Sequence, residues 1–261
     1  MGKKEEVLRE RLLEAGKIAV AYSGGIDSYF LLEMAVSVLG RDHVLAVFCR
    51  GAMMPEAEEA EAIRLLELLR VNYRILTAEV LSVPEFASND KRRCYFCKKY
   101  LMGKIQECAH KNGFTVVADG GNVNDREVYR PGLQAVEELG IWSPLAESGF
   151  TKADIRRCAK ECGLPIWDKP SQACLASRFP YDTPLTAEKL QRAGQAEEIL
   201  HRAGFRACRV RVHDTIARIE VEREDMERLI RDTALLHAVK DVGFSFVTLD
   251  LEGLRSGVFD S

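Results

Sequence analysis

The ten residues Ala19–Ser28, Ala-Val-Ala-Tyr-Ser-Gly-Gly-Ile-Asp-Ser, constrain the chain more than any other stretch. Lys17 to Tyr22 is apolar and β-branched enough to predict a buried parallel strand. Tyr29, Phe30, Leu31, Leu32, Met34 and Ala35 predict a helix that begins at Asp27 or Ser28. Gly24 and Gly25 fall at the turn between them, where glycine permits a positive φ and close backbone approach. Loop amides and a helix N-terminus can then converge on an anion. Ser23, Gly24, Gly25, Asp27 and Ser28 are therefore candidate phosphate contacts; the plainer alternative is an ordinary glycine turn.

The loop lacks the lysine of the G-x-x-x-x-G-K-[ST] motif, which argues against transfer of a terminal phosphoryl group. Ser-Gly-Gly-x-Asp-Ser instead resembles the pyrophosphate loop (PP-loop) of the ATP pyrophosphatases. That resemblance implies ATP cleavage between the α and β phosphates, leaving AMP on an oxygen of the substrate.

Strand patterns at Ile18–Tyr22, Val44–Phe48, Tyr73–Thr77 and Thr115–Ala118 alternate with helix patterns at Ser28–Leu39, Pro55–Leu69 and Arg93–Lys111, with a further helix at Ala153–Cys162. Such alternation predicts an α/β fold, a parallel sheet with helices on both faces. Ligands in these folds bind beyond the carboxyl ends of the strands, so the Ser23 loop and the loop Asp119-Gly120-Gly121-Asn122 are expected to share a crevice. Asp119 and Gly120 join the candidate ATP contacts. After Trp167-Asp168-Lys169-Pro170 the pattern changes. A polar loop with Cys174 and Arg178 leads to a helix at Ala187–Ala203, a hairpin of Cys208–Val212 with Ala217–Val221, a helix near Met226–Val239 and a strand at Ser245–Leu251. The expected organisation is a PP-loop domain over residues 1–170 and a smaller C-terminal α+β domain over 171–261.

At 261 residues and 47% hydrophobic content the chain can bury a substantial core. No run approaches the roughly 18 apolar residues of a membrane span, and the first residues show no signal-peptide pattern, so a cytoplasmic protein without a membrane partner is expected. A net charge of −3 with both signs interspersed gives no bulk case for nucleic-acid binding. The eight cysteines are then unlikely to be disulfides, and their spacing matters more than their number. Cys49, Cys108, Cys158, Cys162 and Cys208 read as small core hydrophobes.

Arg92-Arg93-Cys94-Tyr95-Phe96-Cys97-Lys98-Lys99 places two thiols one helical turn apart among four cations, which favour thiolates. Cys108 is roughly 16 Å further along a straight helix and cannot close a site with them. Cys174, in a loop at the domain junction, is the candidate third thiol. Three thiolates facing one crevice could hold an iron–sulfur cluster with one iron left open; alternatively Cys174 is itself the reactive sulfur, or the three are unrelated. In Arg209-Val210-Arg211-Val212-His213, strand periodicity puts Arg209, Arg211 and His213 on one face, suited to a phosphate or carboxylate.

Ser23–Ser28, Asp119–Asn122, Tyr129-Arg130-Pro131-Gly132, Ser143-Pro144-Leu145-Ala146-Glu147, Trp167–Tyr181, Arg209–Val221 and Leu249–Gly257 together resemble the LarE family of ATP-dependent sulfur transferases. The resemblance implies adenylation of a carboxylate of pyridinium-3,5-biscarboxylic acid mononucleotide, then replacement of an oxygen by sulfur, during synthesis of the nickel-pincer cofactor of lactate racemase. Cys174 matches the active-site cysteine, and Cys94 and Cys97 match the extra pair of the form that binds a [4Fe-4S] cluster; another form sacrifices the sulfur of one cysteine and leaves dehydroalanine. Glu197 fits the family's acidic metal contact, and Arg209 and Arg211 its phosphate-binding arginines. Arg178 and Arg255 are added as carboxylate contacts because arginine binds carboxylates bidentately. Gly121, Asn124, Val128 and Gly194 depart from the family's common pattern.

The expected chemistry joins these parts. Adenylation, assisted by Mg²⁺, gives a poor electrophile AMP as leaving group, and Cys174 or a sulfide then attacks. Cys174 and Asp27 are the catalytic candidates; ATP, Mg²⁺ and a [4Fe-4S] cluster are the expected cofactors. Sulfide or a sulfur-donor protein, and a second copy of the chain in a homo-oligomer, are the expected partners. The alternatives are sacrificial use of Cys174, an ammonia-using enzyme similar to NAD synthetase, and a nucleotide-binding redox regulator without turnover.

Overall fold

The computed structural model describes residues 2–126, 131–170, 173–255 and 259; Val128, Tyr129, Arg130, Ser256 and Gly257, named above, lie outside them. Helix α1 (Lys3–Ala15) leads into β1 (Ile18–Tyr22), α2 (Ile26–Leu39), β2 (Val44–Arg50), α3 (Glu56–Leu69) and β3 (Asn72–Thr77). The short α4 (Pro84–Ala87) precedes the long α5 (Arg93–Lys111), then β4 (Val116–Asp119), α6 (Val123–Arg126), α7 (Pro131–Glu138), α8 (Pro144–Glu147) and α9 (Lys152–Glu161).

All five residues of β1 are buried, as a strand covered on both faces requires. It pairs in parallel with β2 on one side and β4 on the other, so that Ala21 stands between Val47 and Asp119. The sheet order is β3-β2-β1-β4 with every pair parallel. Successive strands step away from β1 in one direction, and β4 then returns to its other side. The reversal opens a crevice at the carboxyl ends of β1 and β4, the position at which such sheets bind ligands. One face of the sheet is covered by Leu8 and Leu12 of α1, Phe30 and Leu31 of α2, Leu65 of α3 and Ile155 of α9. The other face packs Leu45 and Val47 against Met102, Ile105 and Ala109 of α5 and Val136 of α7.

The C-terminal part contains α10 (Ala187–Arg202), the antiparallel pair β5 (Cys208–His213) and β6 (Ile216–Val221), α11 (Met226–Arg231), α12 (Thr233–Asp241) and β7 (Phe246–Leu249), which pairs in parallel with β6. Leu190, Ala193, Leu200, Val210, Val212 and Ile219 form its core, and Ala78, Val80 and Phe86 from before α5 pack into the same cluster. The backbone N–H of Leu185 donates to the Ala87 carbonyl at 2.7 Å, and Asn89 Nδ2 donates to the Pro180 carbonyl at 2.7 Å. The segment before α5 thus anchors the loop that carries Cys174.

Most of the expected elements fall where the sequence places them, but α4, α6, α7 and α8 have no counterpart in the sequence reading, and there are further differences at the two ends of the chain. Helix α1 is additional; its Leu8 and Leu12, one turn apart, are its buried stripe. The single helix expected near Met226–Val239 is two, because the Asp232 side chain accepts a hydrogen bond from the Leu235 N–H at 2.9 Å and caps a new helix. The last strand stops at Leu249, where the Asp250 side chain accepts from the Glu252 N–H and turns the chain.

Candidate active site

Gly24 adopts φ +79°, and a Cβ there would lie 3.0 Å from Cβ of Ala62. Both conformation and space call for glycine. Gly25 then N-caps α2 without any side-chain hydrogen bond, leaving the first-turn amides of the helix for a ligand. Ser28 Oγ closes the loop on itself: it accepts from the Ser23 N–H at 3.2 Å and donates to the Gly25 carbonyl at 3.1 Å. The β4 loop presses directly on this turn, since a Cβ on Gly120 would lie 2.7 Å from the Ser28 nitrogen. Asn122 Nδ2 donates to Asp27 Oδ2 at 3.2 Å. The two loops expected to share a crevice are in contact.

Burial pushes the Asp27 carboxyl up from its ordinary range; Lys152 opposes the shift and the like charge of Asp125 adds to it. Lys152 Nζ lies 3.8 Å from Asp125. A divalent cation held near both carboxylates would offset their mutual repulsion. Asp119 Oδ1 accepts from the Gly121 N–H at 3.0 Å and from Ser143 Oγ at 2.7 Å, while its other oxygen lies 3.4 Å from Lys98 Nζ. Lys98 follows Cys97 directly, so this ion pair fastens the cysteine helix to the nucleotide loop.

Cys94 and Cys97 occupy the first turns of α5; Cys94 is exposed and Cys97 half-buried. Cys174 begins the turn that follows it, where its sulfur accepts from the Ala176 N–H at 3.4 Å and the Leu175 N–H donates to the Met53 carbonyl at 3.1 Å. The three thiols lie near enough to oppose one another's ionisation. Cys97 is pushed up by burial first and then by Cys174 and Cys94. Cys174 reaches solvent but is closely surrounded; burial pushes it up, Cys94 adds to this, and the Ala176 N–H, Arg178 and Arg93 oppose it. Their sulfurs are not all within 4.8 Å of one another. Thiolates are the ligands that iron–sulfur clusters take, so the chemistry of this donor set suits such a group.

Among the described residues, single-ion spacing is met by Glu5, Cys158 and Glu161. There the buried Cys158 thiol donates to Glu5 Oε1 at 3.1 Å, which holds α1 on α9 and lies apart from the crevice. Cys49 and Cys108 line a groove between β2, β3 and α5, and burial pushes Cys49 up to about 11. Cys208 is buried beside His201.

The arginines divide into two kinds. Arg178 is 1% exposed and forks onto Glu197 at 2.6 and 3.0 Å. Glu197 also accepts from the Val210 N–H at 2.9 Å. The residues read from the sequence as a carboxylate contact and a metal contact are therefore counter-ions of one another, and either role at a ligand requires the pair to open. Arg211, also buried, forks onto Glu220 at 3.0 and 3.1 Å and donates to the Ser177 carbonyl. Arg255 pairs with Glu252 at 2.6 Å and Asp250 at 3.7 Å. Arg209 donates to the Arg255 carbonyl at 2.6 Å and has no carboxylate partner among the described residues. Burial and the neighbouring Arg178 and Arg211 lower its pKa. His213 is likewise lowered by burial and by Arg218, so this strand face is not the solvated surface its periodicity alone would allow.

Sequence reasoning missed Lys98 as a tie between the centres, and Lys152 and Asp125 beside Asp27. Lys98 could have been suspected from its place beside Cys97. Lys152 carries no local signal, because only the return of the chain after α8 brings it to the crevice.

A glycine loop at the switch point of a parallel sheet, a second loop packed on it and free helix amides define a PP-loop ATP-using enzyme. Residues 2–92 match the NAD synthase family. The pyridinium-3,5-bisthiocarboxylic acid mononucleotide synthase of Lactiplantibacillus plantarum is 39% identical over 97% of this chain and 92% of its own length. An uncharacterized protein of Synechocystis sp. is 40% identical over 97% of this chain and 96% of its own. An argininosuccinate synthase of Natronomonas pharaonis shares 27% identity over 59% of this chain and 40% of its own. The chain belongs to the LarE family of sulfur-inserting synthases.

Proposed function

We propose that this chain adenylates a carboxylate of a pyridinium dicarboxylate mononucleotide and replaces the activated oxygen with sulfur at a centre formed by Cys94, Cys97 and Cys174. The observation that carries the reading is the junction of two chemistries in one crevice. The nucleotide loop and the cysteine helix meet through the Lys98–Asp119 ion pair at 3.4 Å.

In the first step a carboxylate oxygen attacks the α phosphorus of ATP, the bond to the β phosphate breaks and pyrophosphate leaves. The amides of the Ser23 loop and the first turn of α2 receive its charge. Asp27 and Asp125 are the carboxylates suited to hold Mg²⁺. In the second step a sulfur nucleophile adds to the acyl carbon and AMP departs with the former carboxylate oxygen. With sulfide as nucleophile the product is a thiocarboxylate and one proton is released. Cys94, Cys97 and Cys174 would hold a [4Fe-4S] cluster, which would supply that sulfide when bound. Arg209, the arginine without a carboxylate partner among the described residues, is suited to the substrate phosphate. A sulfur donor outside the chain must replenish the centre if it is to turn over. Among the described residues no helix is long and apolar enough to cross a membrane.

Sacrificial use of Cys174 alone requires neither Cys94 nor Cys97; the mutual electrostatic influence of the three thiols supports the three-cysteine reading. The NAD synthase match takes in the Ser23 loop and ends before Cys94, Cys97 and Cys174. Cys174→Ala should still form AMP and pyrophosphate from the dicarboxylate nucleotide while making no thiocarboxylate. Retained thiocarboxylate synthesis would contradict the assignment. Full activity with ammonia in a protein lacking all three cysteines would favour the amide-forming alternative.

A further inference from the structure

Four cations surround the Cys94–Cys97 pair, and three are engaged elsewhere. Arg92 stacks on Tyr95 and Phe96, 4.8 and 5.5 Å from their ring centres. Lys98 pairs with Asp119. Lys99 pairs with Glu138 at 2.9 Å and donates to Tyr95 Oη at 2.8 Å. The fourth, Arg93, is 5% exposed and forms no ion pair among the described residues. Its Nη1 has no hydrogen-bond partner, and its guanidinium lies 4.2 Å from the ring centre of Tyr181, on the same loop as Cys174.

Arginine cannot shed its proton in a protein, so a buried guanidinium without a counter-ion is costly. The chain pairs its other buried arginines, Arg178 and Arg211, with carboxylates. At Arg93 it provides a ring below and two of the site cysteines nearby: Cys94 is the next residue, and Arg93 acts on Cys174 electrostatically.

We infer that Arg93 is the built-in counter-charge of an anionic sulfur centre on Cys94, Cys97 and Cys174. The inference rests on the sulfur-centre reading above. It makes Arg93 a positioning residue, acting through the thiolates and their sulfide. Three thiolates and an added sulfide concentrate negative charge at one point, and a fixed cation excluded from water favours that charge more than a solvated one. Unfilled, the site stores an unmet positive charge; filled, the two offset each other.

The test compares wild type, Arg93→Lys and Arg93→Met, each unfilled and after anaerobic reconstitution with iron and sulfide. Three quantities are read: melting temperature, the rate of iron loss to a chelator, and the midpoint potential of the bound centre. Arg93→Met should melt no lower than wild type when unfilled, because it removes an uncompensated buried charge. Filled, it should lose iron roughly tenfold faster, the scale of one charge-assisted contact, and show a more negative midpoint. Arg93→Lys should restore part of both. The inference is overturned if Arg93→Met lowers the melting temperature of the unfilled protein, which would make Arg93 a packing residue on Tyr181. It is equally overturned if iron loss and midpoint match wild type. If wild-type protein takes up no iron and sulfide, the sulfur-centre reading has failed first and the inference falls with it.

Discussion

Arg178 is closed in a fork with Glu197, whereas Arg209 nearby donates only to a backbone carbonyl. Glu197→Gln keeps the shape but leaves Arg178 charged in the core, and should cost about 3–5 kcal/mol of stability in denaturant unfolding. Arg209→Ala should leave stability nearly unchanged and raise KM for the nucleotide substrate with little effect on kcat, the pattern of lost uniform binding. Asp27 carries a prediction with a definite sign. Burial raises its folded-state pKa above the ordinary 3.8. Between those two values the native state keeps a proton that the unfolded chain has lost, so stability falls as pH rises through that window. Asp27→Asn should therefore make the unliganded protein more stable at neutral pH, with the gain vanishing below the ordinary carboxylate range, while AMP formation is lost. A wild-type-like pH profile in Asp27→Asn would refute this. The candidate site residues could be proposed from local motifs, but their partners could not. Glu197 looks like a free carboxylate in sequence because Arg178 meets it only after the 19-residue separation is folded back.

Helix α9 shows how a local signal and a distant contact combine. Thr151 caps it and Asp154 completes the capping box, and Lys4 of α1 reaches Asp154 at 2.6 Å. The Lys4 contact, followed by Thr151, holds the Asp154 carboxyl well below the usual range. A depressed acid contributes stability above its unfolded value and loses it as pH falls through the folded one. Asp154→Asn should thus lose about 1 kcal/mol at neutral pH, with the difference shrinking in acid; an equal loss at every pH would contradict the account. The capping box could be read from Thr151-Lys152-Ala153-Asp154, whereas the docking of α1 could not. With only Leu8 and Leu12 buried, α1 is legible as a helix chiefly through the partner it covers. The break at Asp232 is the converse case: apolar spacing runs across it, and one side-chain cap decides against a continuous helix.

Across the whole molecule, the order β3-β2-β1-β4 places two glycine loops at one crevice, and the strand–helix alternation of the sequence already implied that meeting. What it could not convey is that residues 78–89 share a core with the C-terminal part, because the change of pattern after Pro170 is local and this packing is not. Asn89 is the clearest consequence: its side chain donates to the Phe179 and Pro180 carbonyls, and its own carbonyl accepts from Asp182. Asn89→Ala should loosen the Cys174 loop and lower sulfur transfer more than adenylation, measured as thiocarboxylate formed per AMP released; an unchanged ratio would mean that the loop is held by other contacts. The central claim is that one crevice activates a carboxylate with ATP and then delivers sulfur from a three-cysteine centre. Its most direct test is the intact mass of anaerobically reconstituted protein before and after reaction with Mg-ATP and the dicarboxylate nucleotide, with the small-molecule product followed alongside. The account predicts AMP, a thiocarboxylate and an unchanged polypeptide mass; loss of one H₂S from the polypeptide, mapped to Cys174, would contradict it and make the protein a single-use donor.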